Sequence, residues 1–336
     1  MNKLIAVSTA RDWNIGDEVI WRGIQTLLEP YFLRFGIEPS FVYWNRNPDL
    51  MVDPLRPPSQ LRPFLRGNYL SGEIPEGLHL DGVIFAGSPE WTGPANAGIY
   101  RHLRNHPNVP VLALGLGEDP MPPILCAEEK DALKGAIISA RSAETAASLS
   151  TQLSRRVPAL PCPSLFAAAP QLVPATGTCY IIQRERGHQG CNLLAEAYTQ
   201  LRDKPLISYY LAEYEELLQK QLDVRYVSEL PDLVQLMSCF GGLVTTRLHA
   251  AVLASQLGLN VALLGHSPRV RQAAALLPRA GVHLVSTIAD AENYVRSFSP
   301  LRRKEKLRTL LEFRQQVRMA YSPLLNEFCG QLLDKI

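Results

Sequence analysis

Short, wholly apolar runs alternate along this chain with longer stretches in which apolar residues recur at helical spacing. In the first half the runs are Leu4–Val7, Phe41–Trp44, Gly82–Ala86, Val111–Leu114 and Ala136–Ser139. An apolar run without polar alternation predicts a strand covered on both faces, as in a parallel sheet. Helical spacing predicts a first helix from about Asp17 to Phe35. Pro48, Pro54, Pro57, Pro58 and Pro63 cannot sit in regular structure and predict a long loop. The second half repeats the alternation, with strands at Cys179–Gln183, Leu206–Tyr209, Val224–Val227, Gly242–Val244, Val261–Leu264 and His283–Val285. Helices fall between them, notably Asn192–Leu201, Pro231–Ser238 and Leu248–Leu257, and a charged helical tail runs from about Leu301 to Leu333.

Strand–helix alternation in both halves predicts an α/β protein of two Rossmann-like, doubly wound parallel-sheet domains. A length of 336 residues also favours two cores over one. The Pro- and Ala-rich stretch Pro158–Pro174 marks the junction, with domains expected at 1–165 and 175–300 and a C-terminal helix at 301–336. Ligands of such sheets bind at the carboxyl ends of the strands, so the cleft between the domains is the expected site.

Charge and cysteine usage narrow the function. The net charge is +2, from 34 basic and 32 acidic residues, which argues against a nucleic-acid partner. Anion binding must then come from arginines placed locally. The six cysteines are scattered, without a CxxC pair or a Cys/His cluster at metal spacing. They read as reduced thiols, and no metal or cofactor is expected. The opening Met-Asn-Lys-Leu-Ile-Ala-Val-Ser reads as a strand and not a signal peptide, and no apolar run reaches membrane-helix length. A cytoplasmic protein is the expectation.

The sharpest chemical segment is Thr245-Thr-Arg-Leu-His-Ala250, directly after an apolar strand. A threonine N-cap there puts Arg247 and His249 in the first helical turn, where backbone amides and the helix dipole favour an anion. Arg247 adds charge, and His249 can pass a proton at neutral pH. The competing reading pairs Arg247 with a structural acid and packs His249. After the first strand come Asn14 and Asp17, suited to binding hydroxyls or moving a proton, and Gly16, which allows close backbone approach. After the Gly82–Ala86 strand come Gly87, Ser88 and Glu90, in a segment also read as a turn with a packed Trp91. Arg141 and Arg269 follow two further strands. Three arginines at strand ends imply a small, multiply charged anion.

In this order the motifs resemble those of the polysaccharide pyruvyl transferase family. The resemblance rests on Asn14-x-Gly16-Asp17, Gly87-Ser88, Gly115-Leu-Gly117, Arg141, Arg247-Leu-His249-Ala and Arg269, over about residues 4–270. Four positions depart from the family pattern: Ser88 for a glycine, Ser142 for an acid, Pro161-Cys-Pro-Ser for an Asp-Pro element, and Arg269 for lysine. The resemblance implies a fold like that of the two-domain GT-B glycosyltransferases, with the C-terminal helix returning to the first domain. It implies transfer of a pyruvyl group from phosphoenolpyruvate, as co-substrate, to a sugar or glycan as a ketal, with contact to a lipid-linked acceptor at a membrane surface allowed. Arg247, Arg141 and Arg269 would hold the donor, His249 or Asp17 would be the acid, and Asp17 or Glu90 the base. Two other classes stay open. A nucleotide-sugar glycosyltransferase would need a ribose-binding acid, for which Glu213 or Glu229 is placed in the second half. An inactive sugar-binding protein would need no chemistry at His249.

Overall fold

The computed structural model describes the chain except residues 11–14, 46–68, 71, 87–90, 118–123, 173–174, 183–199, 266–269, 271–275, 298–299 and 335–336. The proline-rich loop expected over 48–63 and most of the helix expected at Asn192–Leu201 lie outside the described residues.

The first half carries β1 (Asn2–Ala10), α1 (Ile15–Arg34), β2 (Glu38–Asn45), β3 (Tyr69–Leu70), β4 (Gly82–Ala86), α2 (Ala97–Asn105), β5 (Val111–Leu116), α3 (Ala127–Ala132), β6 (Ile137–Ala140) and α4 (Ala143–Gln152). The second carries β7 (Thr178–Ile181), β8 (Leu206–Ser208), α5 (Leu211–Gln219), β9 (Val224–Tyr226), α6 (Leu230–Met237), β10 (Gly242–Thr245), α7 (Leu248–Gln256), β11 (Asn260–Leu264), β12 (Val282–Val285), α8 (Ile288–Arg296) and α9 (Pro300–Leu333). Each predicted strand is present to within a few residues at its ends. The two-residue β3 adds an edge strand too short to carry a pattern.

The strands form two parallel sheets, ordered β3-β2-β1-β4-β5-β6 and β12-β11-β10-β7-β8-β9. Both are the Rossmann order, the second written from its other edge. The direction of winding reverses between β1 and β4 in one sheet and between β7 and β10 in the other, and open α/β sheets bind ligands at such reversals. Every residue of β4, β5, β10 and β11 is buried, which is why these strands lack polar alternation. The edge strand β12 instead exposes His283 and Leu284.

Contacts divide the chain into two compact units. One holds Met1–Asp12, Ile20–Ala167 and Gln316–Ile336; the other holds Trp13–Val19 and Ala168–Gln315. The C-terminal half of α9 therefore belongs with the first sheet, the return expected of this fold class. There the buried Tyr321 hydroxyl donates to Pro161 O at 2.7 Å. Phe328 and Leu332 lie on Gly82 of β4, where a Cβ would stand 3.0 Å from Leu332 and 3.4 Å from Phe328. No helix among the described residues is long and apolar enough to cross a membrane.

Glycine lets α1 approach the segment after β6: a Cβ on Gly23 would sit 1.9 Å from the Pro163 carbonyl oxygen. Alanine at an ordinary helix position gains about 1 kcal/mol over glycine, but overpacking against backbone costs roughly 1–3 kcal/mol. Gly23→Ala is therefore expected to lower the unfolding midpoint. Gly330→Ala in α9, where a Cβ meets nothing within 4 Å, should raise it. Urea unfolding of the two variants checks both signs.

Candidate active site

At the carboxyl end of β10 the Thr245 hydroxyl donates to Ile181 O of β7 at 2.6 Å and accepts from Arg247 N at 3.0 Å. Thr246 N donates to the same carbonyl at 3.2 Å. The strand end thus ties the two central strands together and uses up the hydroxyl expected to cap the helix. The chain stays extended through Arg247, at φ −100° and ψ 115°, and Arg247 is itself the N-cap of α7. This corrects the threonine cap expected from the sequence: Arg247 stands before the first turn, and His249, half-buried, is the second helical residue.

The Arg247 side chain is 8% exposed and makes an ion pair from Nη2 to Glu213 Oε1 at 2.5 Å. Its guanidinium carbon lies 3.9 Å from the ring centre of Tyr210 and 4.8 Å from that of Tyr209. Glu213 is in the first turn of α5, and both tyrosines are in the short connection from β8. Burial by itself would lower the Arg247 pKa; Tyr209, Glu213 and Tyr210 beside it outweigh burial and hold it above its usual value. Burial also pushes the Tyr209 hydroxyl well up, against the opposing charge of Arg247. At neutral pH Tyr209 is then protonated, so the Glu213 carboxylate and the two ring faces balance the arginine. The competing sequence reading, an arginine paired with an acid, is thus met in its geometry. The pair nonetheless stands at the strand ends where ligands bind. Sequence reasoning offered Glu213, beside Glu229, only as a ribose-binding acid for a nucleotide-sugar reaction. Its pairing crosses from the end of β8 to the end of β10, past β7, and no spacing along the chain signals that.

In the first unit Arg141 follows β6, donates its backbone amide to Leu116 O at 2.9 Å, and lies against Gly117. A Cβ on Gly117 would stand 2.3 Å from the guanidinium carbon, so glycine there makes room for the arginine. Gly115, two residues before, has φ +63° and donates to Ser139 Oγ at 3.0 Å. The Gly115-Leu-Gly117 motif therefore serves a left-handed bend and an arginine berth. Trp91 is buried, with Nε1 3.3 Å from Gly117 O, as its packed reading anticipated. Ser142, where the family pattern has an acid, is the N-cap of α4: its hydroxyl accepts from Thr145 N at 3.0 Å. Asp17 is in the first turn of α1 at 5% exposure, beside the buried Gly16, and both group with the unit that holds Arg247 and His249. Asn14, Gly87, Ser88, Glu90 and Arg269 lie outside the described residues.

Because Ser142 caps a helix, Ser142→Ala should cost about 1 kcal/mol in urea unfolding, whereas Ser142→Asp, an equally good cap, should stay within about 0.5 kcal/mol of the parent.

Comparison with known proteins bears on the fold and the family. The fold is similar to that of a solved glycosyltransferase from Rickettsia africae ESF-5, at a TM-score of 0.54 and 12% identity, over 100% of this chain and 99% of that one. A glycosyltransferase of avilamycin A biosynthesis, AviGT4, aligns at a TM-score of 0.48 and 13% identity over 98% of both chains. The first likeness shows a GT-B-like fold and nothing about substrate. No curated protein matches the sequence. The polysaccharide pyruvyl transferase profile matches residues 14–268, from the Asn14-x-Gly16-Asp17 motif through Arg247-Leu-His249. That span covers well over half of the 336 residues, and this chain, a transferase, belongs to the polysaccharide pyruvyl transferase family.

Proposed function

We propose that the protein transfers the pyruvyl group of phosphoenolpyruvate to two hydroxyls of a sugar or glycan acceptor, releasing phosphate and leaving a pyruvate ketal. The observation that carries this reading is the placement of Arg247 and His249 at the carboxyl end of β10, beside the reversal of the second sheet, in a chain of this family. Arg247 binds the phosphate or carboxylate of the donor, with Arg141 and Arg269 as further cations.

The reaction needs an acid, a base and charge stabilisation, and we propose that it proceeds without a metal. His249 or Asp17 gives a proton to the methylene carbon, and the electron pair of the double bond forms the new C–H bond. C2 becomes electron-poor and is attacked by one acceptor hydroxyl, whose proton goes to Asp17 or Glu90. The C2–O bond to phosphate breaks, phosphate leaves with its electron pair, and the second hydroxyl adds to C2 and loses its proton. The two hydroxyl protons replace the one spent on the methylene carbon and supply one to phosphate. Asn14, Gly16, Gly87 and Ser88 line the acceptor or donor in this scheme. A nucleotide-sugar reaction would need Glu213 or Glu229 for ribose, and of these the Glu213 carboxylate pairs with Arg247.

The test is phosphate release from phosphoenolpyruvate in the presence of candidate glycans, with product mass showing the ketal. His249→Ala should lower kcat by about 10²–10⁴-fold, the usual loss for a general acid or base, and a chelator should leave the rate unchanged. Without a known acceptor, donor binding alone can be read as a thermal shift, about 2.7 kcal/mol of stabilisation at a hundredfold excess over Kd. The shift should vanish in Arg247→Lys, a change that keeps a cation beside Glu213 but loses the planar fork. A shift with uridine diphosphate and none with phosphoenolpyruvate would overturn the proposal.

A further inference from the structure

We infer that Glu213 is a positioning residue: it fixes the guanidinium of Arg247 so that the remaining N–H groups face the donor anion. The inference rests on the donor-binding role proposed for Arg247. It begins from what an arginine does at a strand end. The side chain has several rotatable bonds, and an unrestrained guanidinium spreads over many rotamers. Bidentate or forked anion recognition needs one orientation of the plane and one rotation within it. The structure supplies a restraint for each.

The plane is set by the rings. Tyr210 lies 3.9 Å from the guanidinium carbon and Tyr209 4.8 Å from it. The connection that carries them is itself held, since Ser208 Oγ accepts from Tyr210 N at 3.3 Å and donates to Tyr210 O at 3.0 Å. Rotation within the plane is set by Glu213, whose carboxylate takes Nη2 at 2.5 Å, with the two side chains 8% and 13% exposed. An arginine has five N–H donors; Glu213 takes one at Nη2 and the Tyr209 hydroxyl interacts with the guanidinium too, which leaves others for a ligand. Glu213 comes from the helix after β8 and Arg247 from the end of β10, the strands on either side of β7 in the sheet order. The pair therefore straddles the end of β7, next to the reversal where a ligand of this sheet binds. Glu213 also keeps the buried cation balanced before the donor arrives, so that the empty site holds no uncompensated charge.

The test uses the full chain and four variants: Glu213→Ala, Glu213→Gln, Arg247→Ala and the Glu213→Ala/Arg247→Ala double. Thermal unfolding first shows which are folded. Glutamine keeps an acceptor where the carboxylate stood, so Glu213→Gln serves as the rescue variant and remains informative if Glu213→Ala does not fold. Side-chain NMR of ¹⁵N-arginine-labelled protein reads the guanidinium directly. Hindered rotation and distinct Nη signals for Arg247 are expected in the parent and in Glu213→Gln, and averaged signals in Glu213→Ala. Calorimetric titration with phosphoenolpyruvate should show affinity reduced by roughly tenfold in Glu213→Ala, about 1.4 kcal/mol, and largely restored in Glu213→Gln. The double variant should bind no more weakly than Arg247→Ala, because residues acting through one contact are not additive.

Arg247 signals unchanged in Glu213→Ala, signals averaged in Glu213→Gln as they are in Glu213→Ala, or losses that simply add in the double, overturn the inference. A parent chain that does not bind phosphoenolpyruvate fails the donor reading instead, and the NMR comparison then decides the positioning role by itself.

Discussion

Both sheets depend on one constraint: a parallel strand covered on both faces must satisfy its backbone from its neighbours and its side chains from helices on either side. Residues such as Val83, Ile84, Leu112, Ala113, Leu243, Val261 and Leu263 are all essentially sealed from solvent. Burial of a large aliphatic side chain is worth about 1.5–3 kcal/mol, so polar residues are driven off these strands and out to their ends. The central strands β1, β4, β7 and β10 are flanked on both sides, and what polar chemistry they carry is displaced into the loops beyond them. The placement of Arg247, Asp17 and Arg141 just past strands or in first helical turns follows from this exclusion.

The same exclusion sets the terms on which a cation can sit near the core. Desolvating a guanidinium costs several kcal/mol, and a carboxylate repays that only with close geometry and further contacts. Arg247 has both, in Glu213 and the faces of Tyr209 and Tyr210. Arg141 is less buried, and the missing side chain of Gly117 leaves room for its guanidinium. At Ser142 the departure from the family's acid keeps a hydrogen bond to Thr145 N, so the helix start survives a change of residue.

A GT-B-like scaffold serves many group transfers, and it does not by itself choose a donor. In this chain the Arg-Leu-His segment stands at the second reversal, with Arg247 and His249 two positions apart, and the donor proposed above rests on that placement. Glu213, one of the two acids considered for a nucleotide sugar, pairs with Arg247 from the first turn of α5.

Much of this was legible from order along the chain. Apolar runs such as Gly82–Ala86 and Val261–Leu264 mark buried strands because their pattern reflects burial on two faces, a local property of consecutive residues. Family motifs in series located Asp17, Arg141, Arg247 and His249, since each is tied to the end of a particular strand. Three things needed the folded chain. The start of α7 at Leu248 turns on the Thr245 hydroxyl reaching Ile181 O, a contact across strands between partners 64 positions apart. The need for glycine at 23 and 117 comes from what each meets, Pro163 O and Arg141. The partnership of Arg247 with Glu213, 34 residues away, exists only because β8, β7 and β10 are neighbours in the sheet. Periodicity records what a residue faces in its own element. Which distant side chain meets it there is decided by strand order, and strand order is written in no single segment.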